Sequence, residues 1–191
     1  MDVVPEVQCL VVVDLQRVFV EGEDAVPAAT ALLPAVEEQL AAARAAGALV
    51  VLLQNDGPSG AVDEPGAPGW ELSVPTRTGE PVVRKTGDSG FDGTALHELL
   101  QAHGVRAVSV CGLMSEMCVA ATARGALDRG YRVVLAHDSH ATYDVPAFST
   151  NEPDVPAELA ARAAEWALGD EVEIVAGAAQ VDFVAPVSPV T

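Results

Sequence analysis

Short apolar runs alternate along the chain with segments whose apolar residues recur at helical spacing. The run VQCLVVV, which ends at Asp14, is rich in β-branched residues, as expected of a strand covered on both faces of a parallel sheet. Between residues 27 and 46, apolar residues such as Leu32 and Val36 recur at helical spacing, and Gly47 follows where a helix would end. This alternation predicts βαβ units with right-handed crossovers, and therefore an α/β fold built on a parallel sheet.

The complete pattern contains six predicted strands and four predicted helices. The strands are predicted at residues 7–13, 48–53, 82–85, 105–111, 131–136 and 171–175, and the helices at 27–46, 93–104, 115–129 and 156–168. The segment 55–79 holds four prolines, five glycines and little periodicity, so it is predicted to be a long loop of the kind that often carries function. We predict a single domain over residues 1–191, with a core at about 7–175 and a terminal arm or intersubunit strap at 176–191.

Charge and cysteine content narrow the classes of function. Ten basic residues against 28 acidic ones give a net charge of −18, and such a surface repels nucleic-acid backbones and anionic membranes. It would attract a cationic substrate, although solubility alone also explains it. No apolar stretch approaches the length of a membrane span and the N-terminus lacks a signal-peptide pattern, so we expect a soluble, cytoplasmic protein. Three cysteines without CxxC spacing are expected to be free thiols.

Three reactive side chains are predicted to meet at one edge of the sheet. In open parallel sheets, reactive groups collect beyond the carboxyl ends of the strands. Asp14 follows the first predicted strand, Lys85 ends the third and is the only lysine, and Cys118 lies in the first helical turn after the fourth. With Ser115 as N-cap, the helix dipole and Lys85 would lower the pKa of the Cys118 thiol. Each residue alone has a structural explanation, so it is their joint placement that favours catalysis.

The residues around these positions resemble the isochorismatase-like cysteine hydrolases. The resemblance rests on DLQ at Asp14, on RKTGDSGFDGTAL around Lys85, and on CGLMSEMCVAATARGALDRGYRVVLAHDSHAT around Cys118, and it covers about residues 7–175. It implies a three-layer sandwich of Rossmann-like type, in which helices flank both faces of a six-stranded parallel sheet. It also implies that Cys118 is the nucleophile, Asp14 the general base and Lys85 the cation that stabilises the thiolate.

The same resemblance implies an oxyanion hole, metal independence and a homo-oligomer. The family's cis peptide bond maps to Leu113–Met114, and the backbone N–H groups of Met114 and Cys118 would bind a developing oxyanion. Some nicotinamide-cleaving members bind a metal through an Asp-x-His pair and a later histidine, but this chain has Asn-Asp at that place and no histidine before His97. No metal or other cofactor is therefore expected. Members of the family associate, so a homodimer or homotetramer is expected.

Several residues near the predicted loops are candidates for the wall of a substrate pocket. Aromatic side chains make up only 4% of the chain, yet several of them fall near the loops at this edge, where they could stack on a small-molecule substrate. The candidates are Phe19, Asn55, Trp70, Tyr143 and Phe148. Packing of the long loop is the alternative explanation for the aromatic ones.

The implied reaction is hydrolysis of a C–N bond in an amide, lactam or ureido compound, through a thioester on Cys118. Family members such as streptothricin hydrolases open a lactam in a polycationic antibiotic, which would suit the negative charge. One alternative is vinyl ether hydrolysis of the isochorismatase type, in which Asp14 protonates the substrate and Cys118 is a bystander. The presence of Cys118 and the charge, which disfavours a dianionic substrate, argue against it. The other alternative is a non-catalytic member that binds a partner or acts as an oligomeric scaffold.

Overall fold

The computed structural model of the protein describes residues 6–187. The strands are β1 (Cys9–Val13), β2 (Leu49–Asn55), β3 (Val82–Lys85), β4 (Ala107–Leu113), β5 (Arg132–Ala136), β6 (His140–Ala141) and β7 (Val172–Val175). The helices are α1 (Arg17–Val20), α2 (Ala29–Ala46), α3 (Leu96–Ala102), α4 (Ala120–Leu127) and α5 (Ala157–Leu168), with a π-helical turn at Ser115–Val119 directly before α4. Among the described helices, none combines the length and apolar character needed to cross a bilayer.

Six of the strands form one parallel sheet in the order β3-β2-β1-β4-β5-β7. The two-residue β6 pairs with the C-terminal end of β4. The predicted α/β class and six-stranded parallel sheet are therefore confirmed. β1 lies at the centre, where Val13 is in register with Leu53 of β2 and Gly112 of β4. Because all strands of this sheet point the same way, the residues that follow β1, β3 and β4 emerge at a common edge.

Two apolar clusters fill the space above and below the sheet, which makes the three layers. Successive β1 residues point to opposite faces. Leu10 and Val12 pack in one cluster with Leu32 of α2, whereas Val11 packs in the other with Leu96 of α3. β1, β2 and β4 are thus covered on both sides, which explains why they read as unbroken apolar runs.

The observed boundaries differ from the predicted ones where side chains or strand pairing intervene. β4 continues to Leu113, two residues beyond the prediction, because Gly112 and Leu113 pair with β6. The helix predicted from residue 93 begins at Leu96, since the Thr94 hydroxyl donates to the Gly90 carbonyl at 2.5 Å and accepts from the Leu96 N–H at 3.2 Å. β6 and α1 were not predicted because elements of two and four residues show no periodicity.

Val181 and Phe183 of the predicted terminal arm pack into the core on one face of the sheet. Val7 pairs with Phe183, and the Val7 N–H donates to the Asp182 carbonyl at 2.8 Å. Phe183 and Val181 are buried in the cluster that contains Leu10. The ends of the predicted domain, residues 1–5 and 188–191, lie outside the described residues.

Candidate active site

Asp14, Lys85 and Cys118 come together at the carboxyl edge of the sheet. Asp14 directly follows β1, Lys85 is the last residue of β3, and Cys118 lies in the π-helical turn that follows β4. β1 and β3 both flank β2, whose last residue Asn55 is in register with Lys85. Residues that are more than thirty positions apart in sequence therefore meet because the four neighbouring parallel strands β3, β2, β1 and β4 end at the same edge.

The Lys85 ammonium is the centre of the cluster. Its Nζ lies 2.6 Å from Asp14 Oδ2 and 3.3 Å from Cys118 Sγ, and it donates to the Gly87 carbonyl oxygen at 2.9 Å. The side chain is completely buried. Burial lowers the pKa of Lys85, but the Asp14 carboxylate and Cys118 outweigh that effect and raise it, so the group carries its charge.

Asp14 is a buried carboxylate with one oxygen left over. It is 3% exposed, and its backbone has φ +47°, a left-handed conformation that non-glycine residues seldom adopt. Oδ2 is engaged by Lys85, whereas Oδ1 is buried and accepts no hydrogen bond from any described residue. Burial raises the pKa of Asp14 and Lys85 opposes this rise. An ionised Asp14 therefore has an unused acceptor and a raised affinity for a proton.

The Cys118 thiol is not the acidic group that the sequence predicts. Burial and then the Asp14 carboxylate raise the pKa of Cys118 to about 12, although Lys85 acts in the opposite direction. The predicted cap is also wrong, because Met114 is the N-cap and Ser115 is the first residue of the turn. The sequence argument included the positive charge of Lys85 and the helix dipole, but it omitted the burial of the thiol and the negative charge of Asp14. The resting thiol is consequently protonated and lies beside an ion pair.

The backbone of β4 approaches β1 closely next to this cluster. Gly112 has φ +116°, and a Cβ built on it would lie 2.1 Å from the Val13 carbonyl oxygen. The peptide bond Leu113–Met114 that follows is cis, at the position implied by the resemblance. In the turn beyond, the Met114 carbonyl accepts from the N–H groups of Met117 and Val119 at 3.1 Å each. The oxyanion-hole role of Met114 and Cys118 stays a prediction.

The predicted wall residues lie in different surroundings, and their contact with a substrate stays a prediction. Phe19 of α1 and Tyr143 both pack against the cluster that contains Leu10, and the Tyr143 hydroxyl donates to the Asp24 carbonyl at 2.6 Å. Phe148 is 97% exposed on the loop between β6 and α5, so it packs against none of the others.

Asn55 and Trp70 are held by hydrogen bonds within the long loop. The Asn55 side-chain amide donates to Asp63 Oδ2 at 2.7 Å, and the Trp70 indole N–H donates to Asp56 Oδ1 at 3.0 Å. The Arg84 guanidinium lies over the Trp70 ring at 5.0 Å from its centroid. Both side chains thus help to order the loop, which is the alternative that the sequence left open for the aromatic residue.

The same loop does not fit the metal site that some family members have. Asn55 is bonded to Asp63, and Asp56 forms a salt bridge with Arg84 at 2.8 Å. Within residues 6–187, no group of three or more His, Cys, Asp or Glu side chains is arranged to hold a metal ion. The donor set beside Lys85 therefore does not suit a resident metal.

Asp88 and Glu165 were missed by sequence reasoning. Asp88 follows β3 on a short exposed loop, and its Oδ1 lies 3.9 Å from Cys118 Sγ. Glu165 is bonded to His140, which in turn contacts Ser115 at the start of the turn that carries Cys118. Glu165 could have been noticed, because it occupies the inner face of α5, where the neighbouring positions are alanine and leucine.

Comparison with known proteins agrees with this fold and identifies the family. The isochorismatase domain model matches residues 8–152. Two streptothricin hydrolases of Streptomyces noursei are 61% and 60% identical over 94% and 96% of this chain. The chain spans 66% and 73% of the lengths of those two proteins.

Solved structures show the same architecture. An isochorismatase of Pseudomonas putida KT2440 is 28% identical with a TM-score of 0.82, and the match covers 91% of this chain and 90% of that one. The N-carbamoylsarcosine amidase of Thermoplasma acidophilum is 26% identical with a TM-score of 0.70, and the match covers 88% and 95% of the two chains.

The chain belongs to the isochorismatase family. Within that family it is a hydrolase that is similar to streptothricin hydrolases and to amidohydrolases.

Proposed function

We propose that the protein is a metal-independent cysteine hydrolase that cleaves a C–N bond of a small molecule through a thioester on Cys118. The observation that carries the proposal is the cluster of a thiol, an ammonium and a carboxylate, joined by distances of 3.3 Å and 2.6 Å at the carboxyl edge of the sheet. Cys118 is the nucleophile, Asp14 the general base and Lys85 the fixed positive charge.

The reaction starts with a proton transfer from the thiol to Asp14. Oδ1 is the oxygen of this carboxylate that has no other partner among the described residues, so it is the available acceptor. The sulfur attacks the carbonyl carbon as it loses its proton, and the carbonyl oxygen becomes an oxyanion that the N–H groups of Met114 and Cys118 bind. The C–N bond then breaks, and Asp14 returns the proton to the leaving nitrogen. The acyl group remains on Cys118 as a thioester.

The second half of the reaction releases the acid. Asp14, which is ionised again, takes a proton from a water molecule, and the resulting hydroxide attacks the thioester carbonyl. The C–S bond breaks, and the thiolate is reprotonated by Asp14. Lys85 stays protonated throughout, and its charge stabilises the negative charge that develops on the sulfur in both halves. Because the resting thiol has a pKa raised to about 12, deprotonation accompanies the attack instead of preceding it.

The local charge favours a substrate with a cationic group near the scissile bond. Asp88 lies 3.9 Å from the sulfur, and Asp63 is near enough for its charge to raise the pKa of Asp14. Neither Asp63 nor Asp88 forms a salt bridge within residues 6–187, so of these three carboxylates only that of Asp14 is paired with an ammonium. This excess of negative charge, together with the identity to streptothricin hydrolases, supports a lactam of the streptothricin type.

Intact mass spectrometry tests the nucleophile. The protein is mixed with a streptothricin-type lactam and quenched in acid, and we expect an adduct of the acyl part on Cys118. Cys118→Ala should abolish both the adduct and the turnover, whereas the matched removal of a buried thiol in Cys9→Ala should preserve them. If Cys118→Ala keeps most of its activity, the thioester route is wrong and the vinyl ether mechanism gains support. If the native protein acts on no amide, lactam or vinyl ether, it is a non-catalytic family member.

A substrate panel tests the role of charge. Cationic amides should be preferred over neutral and anionic ones at low salt, and the preference should shrink as salt rises. Asp88→Asn should raise KM for cationic amides alone, whereas the exposed control Asp92→Asn should leave it unchanged. Equal turnover of all three classes would mean that the negative charge serves solubility only.

A further inference from the structure

A buried polar chain connects α5 to the turn that carries Cys118. Glu165 Oε1 lies 3.0 Å from His140 Nε2, and His140 Nδ1 lies 2.8 Å from the Ser115 hydroxyl. These three residues are exposed by only 3%, 6% and 2%. Their partners come from three separate elements, namely α5, β6 and the π-helical turn. Buried polar groups are costly unless paired, so this chain holds the three elements in one arrangement.

Glu165 is kept ionised by three donors. His140 and Arg162 donate to its two oxygens at 3.0 Å and 2.7 Å, and His137 Nδ1 lies 2.5 Å from Oε1. Burial alone would raise the pKa of Glu165, but the hydrogen bonds from His140, Arg162 and His137 outweigh burial and lower the pKa to about 2. The carboxylate can only accept, so His140 Nε2 carries a hydrogen and donates it to Glu165. In the tautomer whose single hydrogen is on Nε2, Nδ1 accepts from the Ser115 hydroxyl.

The hydrogen bond to His140 matters for the site because Ser115 lies three residues before Cys118, in the same turn. The turn Ser115–Val119 is short: the Met114 carbonyl accepts from the N–H groups of Met117 and Val119, and the Ala120 N–H donates to the Ser115 and Met117 carbonyls. The Ser115 side chain makes no backbone cap for that turn. It points instead to His140, which makes the buried chain the side-chain anchor of the first residue of the turn.

We propose that Ser115, His140 and Glu165 act as a positioning chain that holds the turn of Cys118 in register with Lys85. Only the expected effect of this chain on turnover rests on the proposed function. These residues are not placed against substrate, so they act through the position of the sulfur. A displacement of about 1 Å at a reacting atom can cost on the order of a hundredfold in rate. Loss of the chain should therefore lower kcat much more than it changes KM.

The test compares two buried serines. Ser115→Ala removes the hydroxyl that is hydrogen-bonded to His140, and Ser109→Ala removes a hydroxyl of β4, away from the turn, that donates to Gln39 Oε1 at 2.7 Å. Both variants lose one buried hydrogen bond, so their Tm values should fall by similar amounts. Ser115→Ala should lose roughly tenfold to a hundredfold in kcat with KM nearly unchanged, whereas Ser109→Ala should keep its kcat. Equal kcat losses in the two variants would overturn the proposal.

Substitutions at His140 provide a second readout. A glutamine can accept from Ser115 through its carbonyl oxygen and donate to Glu165 through its amide, so His140→Gln should recover part of the kcat that His140→Leu loses. In the Ser115→Ala background, His140→Leu should add little further loss, because the chain is already broken. Additive losses, or a glutamine variant no better than the leucine one, would show that the residues only pack.

The proposal can be tested even if the substrate assignment fails. Alkylation of Cys118 by iodoacetamide reports on the contact between the sulfur and Lys85 and needs no substrate. Ser115→Ala should change the pH dependence of that alkylation, and Ser109→Ala should leave it as in the native protein. An unchanged profile in Ser115→Ala would overturn the positioning role and say nothing against hydrolysis, whereas a changed profile without any turnover would count against the proposed function alone.

Discussion

Replacing Asp14 by asparagine should make the Cys118 thiol more reactive while it abolishes hydrolysis. The side chain keeps its shape, and asparagine tolerates the φ of +47° as well as aspartate does. The substitution removes the carboxylate that raises the pKa of the thiol, and it leaves the Lys85 ammonium 3.3 Å from the sulfur. A thiolate would then face a positive charge that is no longer neutralised by a carboxylate at 2.6 Å.

The size of the effect follows from the repulsion that the substitution removes, because the attraction of Lys85 acts in both proteins. Asp14 Oδ2 and Cys118 Sγ lie 2.6 Å and 3.3 Å from Lys85 Nζ and so are no more than about 6 Å apart, where two like charges repel by about 3 kcal/mol at an effective dielectric constant of 20. Removing that repulsion should lower the pKa of the thiol by about 2 units. At pH 8 the thiolate fraction would rise ~10²-fold, but a less basic thiolate is a weaker nucleophile by roughly 6- to 10-fold, so alkylation should accelerate ~10- to 16-fold.

Iodoacetamide labelling followed by peptide mass spectrometry measures this rate. Cys9 and Cys111 are internal controls, since both are fully buried and burial raises the pKa of each thiol. In the same variant, kcat should fall by ~10²–10⁴-fold because the general base is absent. If the Asp14→Asn protein were alkylated no faster than the native protein, the carboxylate would not be what keeps the thiol protonated, and the charge argument would be wrong.

Three further predictions concern the ammonium, a close backbone contact and a buried carboxylate. Lys85→Arg should lower kcat/KM at least ~10²-fold with an unchanged circular dichroism spectrum. A planar guanidinium cannot reproduce the contacts of the buried ammonium with Asp14 at 2.6 Å, the Gly87 carbonyl at 2.9 Å and Cys118 at 3.3 Å. Activity near the native value would contradict this prediction. Gly112→Ala should lower the free energy of unfolding, measured in urea, by roughly 3 kcal/mol or more, because the added Cβ would lie 2.1 Å from the Val13 carbonyl oxygen. Gly22→Ala is the control, since a Cβ there would have nothing within 4 Å, and it should cost clearly less. Similar costs in the two variants would refute the steric explanation. The pKa of Glu165 in the folded state is lowered from 4.5 to about 2, so its ionisation adds stability above pH 4.5 that is lost as the pH falls towards 2. In Glu165→Gln, the decrease in the free energy of unfolding over this pH range should be smaller by about 3 kcal/mol. An equally steep decrease in the variant would show that the carboxylate is not responsible.

The pH dependence of turnover has a separate origin. Hydrolysis needs ionised Asp14, and burial raises its pKa, so kcat should decline on the acid side at a higher pH than an ordinary aspartate would give. Stability has the opposite sign for this group, because a raised folded-state pKa favours the protonated, folded form at low pH. Measuring kcat and unfolding on the same buffer series separates the two contributions.

The sequence by itself determined the sheet, its edge and the three residues that meet there. Apolar runs such as the one ending at Asp14 specify strands buried on both faces, and consecutive βαβ units force those strands to be parallel. Once the strands are parallel, Asp14, Lys85 and Cys118 must emerge at one side, because each follows or ends a strand. This inference needs only the order of elements and the periodicity of the chain.

Only the tertiary structure decided the electrostatic state of that cluster and the contacts behind it. The pKa of Cys118 depends on how much solvent remains around the sulfur and on the distance to Asp14, and neither quantity is written in the spacing of residues. The link from Glu165 through His140 to Ser115 joins positions separated by 25 residues at each step, through side chains that meet only after α5 packs beside β6. Desolvation and long-range contact are properties of the packed chain, which is why local pattern predicted where the chemistry lies but not the protonation state in which it rests.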